Sequence, residues 1–92
     1  MITAFNLIRE TLHHNSDITG PISAFAFGSA TRPDTKPNDM DLLIVYHEAW
    51  QPELIRQLLR DIHLPIHLIF MLPDEQIETN FIALQECIAL EF

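Results

Sequence analysis

The chain has 92 residues and a mass of 10.6 kDa, short of the roughly 100–150 residues of an average domain, so one compact domain is expected over residues 1–92 with no room for a second. A hydrophobic fraction of 48%, 20% charged residues and only two glycines exclude a disordered or fibrous chain. Thirteen acidic residues against five basic ones give a formal net charge of −8, which disfavours bulk binding to nucleic acid polyanions. A nucleotide whose phosphates are bridged to carboxylates by divalent cations stays compatible with that charge. Cys87 is the single cysteine, which excludes an internal disulfide and a multi-cysteine zinc site and fits a reducing cytoplasm. No apolar stretch reaches the roughly eighteen residues of a membrane span, and polar Asn6, Arg9 and Glu10 interrupt the region where a signal peptide would be apolar. A cytoplasmic location is expected. So small a core should leave apolar surface for a second copy or a partner protein to cover.

Met1, Phe5, Ile8 and Leu12 recur at helical spacing and predict an amphipathic helix over the first fourteen residues, closed by Asn15-Ser16-Asp17 and Gly20-Pro21. Ile22 to Phe27 is short and apolar and runs into Gly28-Ser29, the pattern of a buried strand ending in a tight turn. Ala30 to Asn38 holds two prolines, Asp34 and Lys36 and reads as an exposed loop. Asp39 to Tyr46 is the clearest strand. Its alternation sets Asp39, Asp41, Leu43 and Val45 on one face and Met40, Leu42, Ile44 and Tyr46 on the other.

Pro52 suits the start of a second helix, whose apolar stripe of Leu54, Ile55, Leu58, Leu59 and Ile62 carries it to about Asp61. Ile66 to Met71 predicts a third strand. Pro73-Asp74-Glu75 opens a last helix with acids at its positive end, and Ile77, Phe81, Leu84 and Ile88 are its expected buried stripe. The expected order is α-β-β-α-β-α, an α+β fold in which a small mixed sheet carries helices on one side.

The chemistry-bearing segment is Gly28-Ser29, nine residues of loop, then Asp39-Met40-Asp41 leading an apolar strand. A glycine at a strand end permits the turn and the close approach of a phosphate, and Ser29 can donate its hydroxyl and amide. Carboxylates two residues apart on one strand face stand about 6.6 Å apart along it, close enough to converge on a pair of magnesium ions about 4 Å apart. The bland alternative is an ordinary turn followed by a solvated strand start. Two like charges alternating onto one face of an apolar strand, however, repel unless a cation or basic partner lies between them. Arg32 and Lys36 lie in the loop where phosphate contacts would be useful, although charged loop residues are usually only solvated.

Phe27-Gly28-Ser29 followed by Asp39-Met40-Asp41 resembles the signature of the DNA polymerase β-like nucleotidyltransferase superfamily, and the size and element order are similar to its minimal stand-alone domains. The resemblance covers nearly the whole chain. It implies the nucleotidyltransferase fold and metal-dependent transfer of a nucleoside monophosphate from a nucleoside triphosphate to a hydroxyl of a protein or RNA end. It further implies that Gly28, Ser29 and Arg32 bind the nucleotide and that Asp39 and Asp41 hold Mg2+, with Mn2+ as an alternative. Minimal members often act as antitoxins paired with a small helical toxin of the HEPN type, so such a partner, or a homodimer, is expected. The chain departs from the family at one place. Where a later strand should carry a third carboxylate, it has His67, an imidazole that suits manganese or zinc better than magnesium and can itself act as a base. Two functions follow: an enzyme in which His67 replaces the acid, or a degraded nucleotidyltransferase-fold antitoxin or subunit that acts by binding its partner.

Overall fold

A computed structural model describes residues 2–28, 31, 40–62 and 65–92, with side chains from Phe5 onward. Helix α1 spans Ile2–His14 and the single-turn α2 spans Ser16–Thr19. Strands β1 (Ser23–Phe27) and β2 (Met40–Val45), helix α3 (Gln51–Leu59) and strand β3 (Ile66–Met71) follow. Helices α4 (Pro73–Thr79) and α5 (Phe81–Leu84) and the short strand β4 (Ile88–Leu90) complete the described elements. They form a mixed α+β fold around a four-stranded sheet in the order β3-β2-β1-β4. β2 is antiparallel to β1 and parallel to β3, and β4 is antiparallel to β1.

Alternation along the strands divides the core. Ala24, Ala26, Met40, Leu42 and Ile44 face the helical layer, where Ile8 and Leu12 of α1 and Ile55 and Leu59 of α3 bury completely or nearly so. Phe27, Leu43 and Val45 face the other side. β2 contributes to both faces and is buried along nearly its whole length, as expected of a central strand with a parallel neighbour.

Gln51 ties the helical layer to the start of β1. Its side chain is fully buried; Oε1 accepts from the backbone N–H of His47 and Glu48, both at 2.8 Å, and Nε2 donates to the carbonyls of Thr19 at 2.7 Å and Pro21 at 3.1 Å. One amide thereby satisfies four backbone groups that would otherwise lie unpaired at the start of α3 and the turn before β1. The Trp50 ring lies over Gly20, which holds φ +68°.

Two expectations are corrected. The last helix does not run from Pro73 through Ile88. The chain takes a left-handed conformation at Asn80 (φ 51°) and again at Glu86 (φ 52°), and the segment divides into α4, α5 and β4. Ile77 and Leu84, two residues of the expected buried stripe, are each 71% exposed, and Ile88 lies on β4 at 51%. The open edge of β1 offers backbone hydrogen bonds to a strand, and Leu90 enters the main core at 4% exposure, a combination that a continuing helix could not provide. Nor are the helices confined to one side. Phe81 and Ile82 at the start of α5 pack on the face opposite α1 and α3, and the Phe81 ring meets Phe27 edge-on at 5.1 Å. Among the described residues, no helix is long and apolar enough to cross a membrane.

Candidate functional site

The site is built where β1 ends and where β2 and β3 begin. In the antiparallel register Asp41 stands across from Phe27, the residue before Gly28, and in the parallel register it stands across from His67. Asp41 shares the strand parity of Leu43 and Val45, so its carboxylate rises on the α5 side of the sheet. His67 shares that side with Ile69 and Met71 by the same alternation.

Gly28 holds φ +79°, the left-handed region that glycine enters without steric cost. Its second constraint is contact. A Cβ built at this position would collide with the Asp41 carboxylate, standing 3.2 Å from Asp41 Cγ and 3.5 Å from Asp41 Cβ. Thr31 closes the turn beyond it: the Thr31 hydroxyl donates to the Gly28 carbonyl at 2.7 Å, and the Thr31 N–H reaches the same oxygen at 3.2 Å. The sequence reading missed Thr31. A hydroxyl residue three positions after a turn glycine, able to bond back to its carbonyl, was the available signal.

Asp41 is partly sheltered, its side chain 23% exposed, while the His67 imidazole is 75% exposed. His67 Nδ1 lies 3.4 Å from Asp41 Oδ1, an ion-pair distance whenever the imidazole is protonated. The carboxylate therefore has the backbone of a turn glycine on one flank and an accessible imidazole on the other. It can accept hydrogen bonds, take a cation or position the imidazole.

Of the six site residues expected from sequence, Gly28, Asp41 and His67 converge, although the first and last lie 39 positions apart in the chain. Ser29, Arg32 and Asp39 lie outside the described residues. Among the described residues, no group of three or more His, Cys, Asp or Glu side chains is gathered as a metal site. Asp74 and Glu75 open α4, where Glu75 Oε1 accepts from the Leu72 N–H at 3.0 Å and so caps its helix. Neither a family model nor a curated protein matches the chain.

Proposed function

We propose that the chain is a metal-dependent nucleotidyltransferase that moves a nucleoside monophosphate from a nucleoside triphosphate to a hydroxyl acceptor on a protein or an RNA end. The observation that carries this reading is the Gly28–Asp41–His67 convergence, in which a turn glycine packs against a sheltered carboxylate that an exposed imidazole flanks. In the reaction an acceptor oxygen bonds to the α-phosphorus and the bond from that phosphorus to the bridging oxygen of the β-phosphate breaks. Pyrophosphate leaves, and the acceptor proton passes to a base. The Gly28 backbone would admit the triphosphate, with Ser29 and Arg32 as further phosphate contacts. Asp41 supplies the hard oxygen donors that magnesium prefers and would share the ion with Asp39, two residues earlier; when bound, the ion neutralises phosphate charge. His67, exposed beside the carboxylate, would take the acceptor proton or orient the acceptor. Catalysis would come mainly from positioning and charge neutralisation.

The test is transfer of α-labelled nucleotide with each of the four triphosphates, magnesium or manganese, and a lysate fraction as acceptor. Label transfer is expected from the wild type and not from the folded Asp39→Asn/Asp41→Asn variant. Transfer undiminished in that variant, or none from folded wild type under any metal, would sink the enzyme reading.

One observation favours a second reading. The Asp41 carboxylate already has a basic side chain, the His67 imidazole, 3.4 Å away, and so has a partner other than a metal ion. On this reading the chain is a non-catalytic antitoxin or subunit of the cytoplasm, bound to a small helical partner of the HEPN type. Partner binding that survives loss of both aspartates would favour it, and His67→Asp should then create or raise magnesium-supported transfer.

A further inference from the structure

We infer that Thr31 is a positioning residue for the metal site proposed above: its hydroxyl holds the Gly28 turn against Asp41 and so fixes the direction in which the carboxylate presents its oxygens. This role rests on the reading of Asp41 as a magnesium ligand.

An aspartate carboxylate turns easily about its last side-chain bond, because a torsion between a tetrahedral and a planar carbon has broad wells. Its direction is therefore set by what stands beside it. On one flank Asp41 has His67, whose imidazole is 75% exposed and so makes a yielding neighbour. On the other it has Gly28, whose backbone lies so close that a Cβ there would collide with the carboxylate and stand 3.2 Å from Cγ. Gly28 is the firm wall, and a shift of its backbone frees the carboxylate to turn.

The sheet ladder does not reach Gly28, for the pairing of β1 with β2 ends at Phe27 and Asp41. Nor does glycine by itself select the φ of +79° found there, since both signs of φ are open to it. Among the described residues, both donors to the Gly28 carbonyl come from Thr31. The hydroxyl, at 2.7 Å, makes a bond of ordinary length for O–H···O, whereas the backbone N–H at 3.2 Å is at the long limit for N–H···O. The side chain therefore supplies the stronger restraint. Contact passes from the Thr31 hydroxyl to the Gly28 carbonyl, and from the Gly28 backbone to the Asp41 carboxylate. In this role Thr31 touches neither ion nor nucleotide and acts through Gly28.

The probe is Mn2+, which takes the oxygen ligands of magnesium and broadens nearby NMR signals. Titrating it into the folded chain should broaden the Asp41 amide and His67 imidazole signals saturably, and the Asp39→Asn/Asp41→Asn variant should lose that response. Thr31→Ser keeps the hydroxyl and should bind Mn2+ as the wild type does. Thr31→Val keeps the shape without the hydroxyl and should bind about fivefold more weakly, the worth of one ordinary hydrogen bond, and Thr31→Ala should match it. Circular dichroism checks the fold of each variant. A residue that only stabilised the fold would lower Tm without moving the Mn2+ affinity. Thr31→Val binding Mn2+ as tightly as the wild type, or Thr31→Ser binding as weakly as Thr31→Val, would overturn the positioning role alone. Broadening that survives in the aspartate variant, or its absence from the wild type, would overturn the metal site and the role of Thr31 with it.

Discussion

Replacing Gly28 by alanine separates two constraints that meet at one residue. The first is conformational: Gly28 sits at φ +79°, and a residue with a Cβ in the left-handed region costs about 1–2 kcal/mol. The second is steric, because the new methyl group would occupy the space of the Asp41 carboxylate. The colliding atom is the end of a short side chain that can swing away, whereas Asp41 Cγ at 3.2 Å and Cβ at 3.5 Å need only a small shift. The conformational cost should therefore dominate stability and the steric one should displace the carboxylate. Gly28→Ala is expected to lose about 1–2 kcal/mol, which in a domain of this size lowers Tm by about 4–16 °C. In an Asp41→Ala background it should cost the same to within about 0.5 kcal/mol. Urea denaturation of the four members of the cycle, followed by circular dichroism, measures both quantities. The nucleotide transfer proposed above should meanwhile be lost in Gly28→Ala, as that proposal requires. A stability loss below about 0.5 kcal/mol would refute the left-handed turn, and a coupling above about 1 kcal/mol would refute the swinging carboxylate.

Further outcomes follow from polar and titratable groups away from the site. Gln51→Met keeps the side-chain volume but orphans two backbone N–H groups and two carbonyls, so it should cost about 3–5 kcal/mol in chemical denaturation, a large loss for a conservative change. Burial raises the Cys87 thiol above its ordinary 9.0, so the folded chain should react with iodoacetamide more slowly than the urea-unfolded chain. Because the folded value is the higher one, the stability it contributes is present below about pH 9 and is lost as pH rises through the folded value. The fall in Tm between about pH 8 and 10 should accordingly be shallower in Cys87→Ala, and an unchanged slope would refute the linkage.

Much of the fold was legible because local pattern and burial agreed. β2 shows this best: its alternation separated Leu43 and Val45 from Met40, Leu42 and Ile44, and the two sets line different faces of the sheet. Ile8 and Leu12, one helical turn apart, are fully buried, and Pro52 marks the first turn of α3. The C-terminal segment was misread because Ile77, Phe81, Leu84 and Ile88 satisfy a helical period by coincidence of spacing. Nothing local distinguishes that stripe from two short helices and a strand. The deciding term is the free backbone edge of β1, a feature that exists only once the sheet has formed. Gln51 was overlooked for a related reason: a glutamine opening a helix looks like solvated surface until both of its backbone clients are folded around it.

By itself, the sequence determined the strand at Met40–Val45, the turn at Gly28 and the parity that directs Asp41 away from the helical layer, because each depends on stereochemistry within a few residues. Only tertiary structure could decide what faces Asp41. Pairing residues this far apart in the chain depends on strand order and register, and a slip of one residue between β2 and β3 would turn His67 to the opposite face. The same order leaves β3 outermost among the described strands, so its place, like the neighbourhood of the carboxylate, is a property of the assembled sheet rather than of any segment within it.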